Sequence, residues 1–327
     1  MRILKIVILS FFALIVIYFL GPQPPKPVLN EVLPTVASLN ALDASIADME
    51  ATHKIKLNNQ AKIIWADSSK TQTEYAIVYL HGFSASQMEG DPVHQNIAKQ
   101  FHCNLYLARL AEHGIDTTED LMNLTADQYW ESAKLAYAIG KQLGKKVILM
   151  GTSTGGTLAL QLASIYPEIA GLILYSPNIE IFDPSATLLN NPWGLQIGRT
   201  VLKSNYVDIK YKDSAYPKYW NSHYRIEAVV ALQNLLEATM TEATFKKIQQ
   251  PTLALYYYKD EAHQDNVVKV KAIQKMMQQL ATPSNLKMEM AMPNTGNHVL
   301  ASPIVSNDIV SVEKATLKFM QEKIKKQ

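Results

Sequence analysis

The stretch Lys146-Val147-Ile148-Leu149-Met150-Gly151-Thr152-Ser153-Thr154-Gly155-Gly156 decides the fold. Its first half is an apolar run, as a strand buried on both faces of a parallel sheet requires. A glycine-rich turn follows at once, and Thr157 to Tyr166 continues as an apolar helix. In Gly-x-Ser-x-Gly at such a junction, the glycines let strand and helix approach closely around a strained turn that exposes the serine. The amide of Thr154 then opens the helix, where an N–H can receive developing negative charge. With Gly and Ser at ~7% each, chance would supply the pentapeptide in about one chain in ten of this length. The strand before it and the helix after it therefore carry the reading. Ser153 is the candidate nucleophile, and it needs a base beside it, because a free hydroxyl is a poor nucleophile.

Outward from this junction, strands and helices alternate. Ala76 to Leu80, Asn104 to Ala108, Gly171 to Tyr175 and a run within Pro251 to Tyr258 read as buried strands. Ala61 to Ala66 is a short strand candidate, and Leu286 to Met292 is strand-like. Helices are expected from about Thr125 to Leu143, with Trp130, Ala133 and Tyr137 on one face, and from about Ser311 to Lys325. Residues 28–60 read as helix-forming, with Leu39, Leu42, Ile46 and Met49 at helical spacing. The alternation predicts an α/β fold, a mostly parallel sheet flanked by helices. It breaks over about 182–250, a stretch rich in Trp, Tyr and Asn with no strong strand. That region is expected to be a helical lid insertion over the C-terminal edge of the sheet.

Three further stations complete a chemistry. His81-Gly82-Phe83 ends the first buried strand, and the Phe83 amide is the candidate second oxyanion donor beside Thr154. His81 itself is expected to order the loop. Pro293 to Val299 is a loop by composition after the last strand, so His298 falls on the same sheet edge as Ser153 and is the candidate base. An acid should orient that histidine, and the loop Lys259 to Val268 offers two. Closeness to the strand favours Asp260. The run Asp265-Asn266-Val267-Val268, leading into an apolar helix (Val270, Ile273, Met276, Met277), favours Asp265. Asp265 is the preferred acid and Asp260 the alternative, in the order Ser…Asp…His. His263, Asp260, Glu261 and Asp265 share this loop, but such spacing is common in solvated loops, and neither a metal nor a cofactor is expected.

On these residues the chain resembles the α/β-hydrolase superfamily, and within it the lid-bearing carboxylesterases and monoacylglycerol lipases. The matching stretches are His81-Gly82-Phe83, Arg109 to Gly114, Gly151 to Gly156 and Gly296 to Val299, within about residues 60 to 325. The resemblance implies Ser153 as nucleophile, His298 as base, and Phe83 and Thr154 as oxyanion donors. The chain departs from it at Leu255-Tyr256-Tyr257-Tyr258-Lys259, where relatives usually have a glycine.

The bulk numbers are those of an ordinary globular protein. The chain has 327 residues, 48% hydrophobic and 18% charged, with a net charge of +2, so nothing global points to nucleic acid. The lone Cys103 excludes an internal disulfide. The basic run Lys323 to Lys326 reads as a helix end. Ile6 to Leu20 is apolar apart from Ser10 and Tyr18, with Arg2 and Lys5 before it and a proline-rich stretch, Gly21 to Pro27, after it. That layout predicts a membrane anchor or signal sequence over 1–21. A spacer and helical segment over 22–59 and a catalytic domain over 60–327 would follow, with the charges placing the domain on the non-cytoplasmic side, periplasmic or extracellular. The expected activity is hydrolysis of a small-molecule carboxylic ester, acyl or lipid-derived, through an acyl-enzyme. A membrane-tethered peptidase or amidase of the same fold and a non-catalytic binding protein are the alternatives.

Overall fold

The computed structural model describes residues 2–325; Met1, Lys326 at the end of the terminal basic run, and Gln327 lie outside them. One seven-stranded sheet organises the chain. Its strands are β1 (Lys62–Ile64), β2 (Thr73–Leu80), β3 (Asn104–Leu107), β4 (Gly144–Thr152), β5 (Gly171–Tyr175), β6 (Thr252–Tyr256) and β7 (Lys287–Ala291). They lie in the order β1-β3-β2-β4-β5-β6-β7. Only β1 runs antiparallel, on the edge against β3; every other neighbouring pair is parallel.

The continuous apolar runs follow from burial on both faces. In β2, Ala76, Val78 and Leu80 enter one core, with Trp130, Tyr137 and Leu158. Ile77 and Tyr79 enter the other, with Val93, Ile97 and Phe319. The helices Ala126–Leu143 and Thr154–Ile165 cover the first face, and Val93–Phe101 and Ile309–Phe319 cover the second. Thr125 starts the first of these with a reciprocal cap: its side chain accepts from the Gln128 amide, and the Gln128 side chain returns to the Thr125 amide. Cys103 is buried, which pushes its thiol up to about 12.

Residues between β5 and β6 form the insertion. It carries the helices Gly194–Leu202 and Ile226–Thr239. It also holds a two-stranded antiparallel ribbon, Tyr206–Asp208 with His223–Arg225, where no strong strand was expected. Three-residue strands are too short to show a period of two.

Two expectations at the N-terminus are corrected. The helix expected over 28–60 is confined to Leu42–Ala51. Pro22, Pro24, Pro25, Pro27 and Pro34 each lack the N–H a helix needs, and residues 22–38 form neither helix nor strand and lie against the body. There the Trp130 indole donates to Asn30 O, Lys134 Nζ to Val32 O and Tyr166 to Glu31 O. Asn234 and the Trp193 amide reach Pro25 O and Pro22 O. This segment is a docked strap rather than a free spacer.

The second correction concerns the anchor. Arg2–Phe19 is helical, and its large apolar side chains from Ile3 to Phe19 are exposed. The uncharged part, Ile6 to Phe19, rises only about 21 Å at 1.5 Å per residue, against a hydrocarbon core of about 30 Å. No helix among the described residues is long and apolar enough to cross a membrane. The expected transmembrane or signal anchor is overturned, and with it the membrane as a partner and the non-cytoplasmic placement.

Candidate active site

The end of β4 delivers Ser153 into a turn with φ 53° and ψ −119°, a region costing a residue with a side chain about 1–3 kcal/mol. The surroundings hold it there. Its N–H donates to Tyr175 O at 2.9 Å, and its carbonyl accepts from the amides of Gly156, Asn178 and Thr157 at 2.9, 3.0 and 3.2 Å. Crowding explains the glycines. A Cβ on Gly155 would run into the Leu80 carbonyl oxygen, and one on Gly151 would lie 2.5 Å from the Gly155 backbone. The helix Thr154–Ile165 can therefore start directly against the end of β2.

Ser153 lines a cavity of ≈ 810 Å³ at the C-terminal end of the parallel strands, together with Phe83, Glu89, Trp220, Tyr224 and His298. The insertion supplies Trp220 and Tyr224, along with a stacked series in which Tyr211, Tyr216 and Trp220 lie at centroid spacings of 5.5 and 4.8 Å.

His298 follows β7 and donates from Nδ1 to Asp265 Oδ2 at 2.6 Å. The other carboxylate oxygen, Oδ1, accepts from the amides of Val267 and Val268 at 2.8 and 3.0 Å. Burial opposes charge on His298, but the charge and hydrogen bond of Asp265, and the charge of Glu89, outweigh it and raise its pKa above the usual value. Burial works against the Asp265 anion as well. The His298 charge and the three hydrogen bonds overcome it and lower the Asp265 pKa. The alternative acid, Asp260, is elsewhere: exposed in a small hairpin, it accepts from His263 Nδ1 at 2.8 Å and caps the amides of Ala262 and His263. Among the described residues no group of three or more His, Cys, Asp or Glu is arranged to hold a metal ion.

The loop after β2 is held by two neutral histidines. His81 Nε2 accepts from the Leu110 amide at 3.0 Å, and Nδ1 donates to Gly82 O at 2.9 Å. His113 Nε2 accepts from the Ser84 amide at 3.0 Å, and Nδ1 donates to Ala111 O at 2.7 Å. Burial pulls His81 down to about 4 and His113 well below its ordinary value, so neither is charged near neutrality. Among the described residues, the amides of Phe83 and Thr154 donate to no protein acceptor, leaving both able to receive an oxyanion.

The sequence reading passed over two residues. His113 falls within the stretch Arg109 to Gly114, but its hold on the loop after β2 needs the tertiary fold to be seen. Glu89 was not singled out at all; its nearness to His81-Gly82-Phe83 in the chain was the one available cue.

The family model described as serine aminopeptidase, S33 (Hydrolase_4), matches residues 125–298. A thermostable monoacylglycerol lipase from Bacillus sp. (strain H-257) is 30% identical over 105 residues, 32% of this chain and 41% of the relative. The match thus spans less than half the length of that curated relative. Among solved structures, one described with LipS and LipT, two metagenome-derived lipolytic enzymes, superposes with a TM-score of 0.65 at 15% identity, covering 82% of this chain and 99% of the other. The Paleococcus ferrophilus monoacylglycerol lipase gives 0.58 at 14% identity, with 80% and 97% covered. Est1E of Butyrivibrio proteoclasticus with ferulic acid bound gives 0.56 at 17%, with 81% and 95% covered. Likeness at these identities speaks for the fold alone.

Proposed function

The chain belongs to the serine aminopeptidase S33 family of α/β hydrolases, and from that premise we propose that it is a serine hydrolase cleaving carboxylic esters, acyl or lipid-derived, through an acyl-enzyme. The observation that carries this reading is the pairing of His298 with the buried Asp265 beside a cavity that Ser153 also lines.

In this mechanism Ser153 Oγ attacks the ester carbonyl while His298 Nε2 takes its proton. Asp265 holds the imidazole in the Nδ1–H form and stabilises the imidazolium. The carbonyl oxygen becomes an oxyanion received by the amides of Phe83 and Thr154. As the C–O bond breaks, the imidazolium returns the proton to the leaving alcohol. A water then repeats the cycle on the acyl-enzyme, releasing the acid and restoring the Ser153 hydroxyl. The insertion serves as the lid, with Trp220, Tyr224 and Leu232 offering an apolar wall to the acyl group.

An amide substrate would use the same groups, so the test compares bonds. Wild type and Ser153→Ala are assayed on p-nitrophenyl esters of increasing chain length and on the matching anilides and aminoacyl anilides. The proposal expects ester turnover that vanishes in Ser153→Ala. Faster turnover of the aminoacyl anilides would make the protein a peptidase instead, and turnover of neither would favour a binding protein.

A further inference from the structure

The mechanism above makes no use of Glu89, yet this carboxyl is 2% exposed and lines the same cavity as Ser153 and His298. It stands on a short turn, Gln87–Gly90, and its Oε2 accepts the Gly82 N–H at 2.6 Å. The space where a Gly82 Cβ would sit is closed by the Glu89 oxygens at 2.9 and 3.0 Å and by Ser153 Cβ at 3.0 Å. Carboxyl and serine thus flank a single glycine, the residue before Phe83.

That glycine is held at both ends. Its carbonyl accepts from His81 Nδ1 at 2.9 Å and from the Ala85 amide at 3.3 Å. In a trans peptide this turns the Phe83 N–H away from those donors. Glu89 grips the other end, at the amide. A buried carboxyl costs several kcal/mol unless hydrogen bonds or an opposite charge offset it. Burial pushes Glu89 up to about 7, against the Gly82 hydrogen bond, the charge of His298 and the indole of Trp220, all of which favour the anion. The ionisable groups that feel its charge are Tyr79, Tyr129, Tyr216 and His298. Of these, only His298 becomes a cation.

We propose that Glu89 is a positioning residue of this site, clamping the Gly82 amide so that the Phe83 N–H stays free for the oxyanion and steadying protonated His298 as a second carboxylate beside Asp265. The proposal rests on the reading of Ser153 as nucleophile and His298 as base. It accounts for a buried carboxyl beside an oxyanion site, where negative charge would otherwise be a handicap. The same charge that opposes the oxyanion favours the imidazolium formed with it.

The test is p-nitrophenyl butyrate hydrolysis across pH by wild type, Glu89→Gln, Glu89→Ala and Glu89→Asp, with Ser153→Ala as control and melting temperatures alongside. Glu89→Gln keeps an oxygen for the Gly82 amide but removes the charge. Its kcat should fall on the order of tenfold with KM unchanged. The acid limb of its kcat/KM profile should move to lower pH, because the imidazolium has lost one carboxylate. Glu89→Ala also loses the clamp, and its kcat should fall about 100-fold. Glu89→Asp should return the acid limb toward its wild-type position. A purely structural role would lower the melting temperature and leave that limb where it is, so an unmoved limb in Glu89→Gln overturns the proposal, as does wild-type kcat in that variant. If Glu89→Ala does not fold, the Gln and Asp variants still decide. Activity surviving in Ser153→Ala would instead overturn the reading on which the proposal rests.

Discussion

Nδ1 of His298 lies 2.6 Å from Oδ2 of Asp265, joining the loop after the last strand to the loop that follows β6. The two side chains are buried together, with Asp265 1% and His298 9% exposed. Replacing one oxygen of that carboxylate is therefore the sharpest change available. Asp265→Asn should lower kcat on a p-nitrophenyl ester about 10³- to 10⁴-fold, because the amide no longer selects the right imidazole tautomer or stabilises its cation. Asp260→Asn, on an exposed hairpin, should stay within about twofold of wild type. Steady-state kinetics of the two variants check this.

The raised pKa of His298 sets the direction of the pH dependence. In the proposed mechanism His298 must be neutral to accept the Ser153 proton, so kcat/KM should rise with pH through the His298 value. The acid limb should therefore lie above about 6.5, the ordinary histidine value. Stability runs the other way. The raised pKa contributes stability that is fully present below about 6.5 and lost as pH rises through the folded-state value. The depressed Asp265 contributes stability present above about 4 and lost as pH falls through its own folded value. Residual urea stability of Asp265→Asn against wild type from pH 3 to 9 should show the difference narrowing at both ends.

The β4–turn–helix unit was legible because everything it needs is contiguous: a buried run, two glycines that crowding demands and a helix at once. For the acid, Asp265 was preferred with Asp260 left open as the alternative, and the reason the choice stayed open is local. Between Tyr256, where β6 ends, and Asp265 the chain inserts the hairpin of Tyr258–Asp260 with His263–Gln264, then returns so that the Asp265 amide donates to Tyr257 O at 3.0 Å. Counting along the loop puts Asp260 nearer the strand, while folding the hairpin out brings Asp265 back to it. Glu89 and His113 were hidden for a related reason, since the backbone amide each one holds, at Gly82 and at Ser84, is brought to it by the turn of the chain rather than by any pattern of residue types. At the N-terminus the apolar composition was plain, but its usable length falls short of a bilayer, and the proline strap follows its hydrogen-bond partners on the body rather than its own spacing.

Strain at Ser153 has a measurable consequence. Glycine tolerates positive φ without the Cβ clash, whereas alanine keeps it. Ser153→Gly and Ser153→Ala should both be inactive, yet Ser153→Gly should be more stable by about 1 kcal/mol. Urea unfolding of the two variants measures the difference, and equal stabilities would mean that the turn relaxes when the hydroxyl is removed.

The helix start against β2 can be tested in the same way. Gly155→Ala would drive a methyl group into the Leu80 carbonyl oxygen, so it should destabilise by about 3 kcal/mol. It should also lower ester turnover by shifting the Thr154 amide. Ala159→Gly, on the same helix but away from the turn, loses helix propensity and one buried methyl, so it should cost about 2 kcal/mol and leave kcat nearly unchanged.

The nucleophile itself is tested most directly by reaction with a fluorophosphonate, followed by mass-spectrometric location of the adduct in wild type, Ser153→Ala and His298→Ala. The account expects a single adduct on Ser153, none in Ser153→Ala, and labelling slowed by orders of magnitude in His298→Ala. An adduct on another residue, or labelling undiminished in Ser153→Ala, would contradict it.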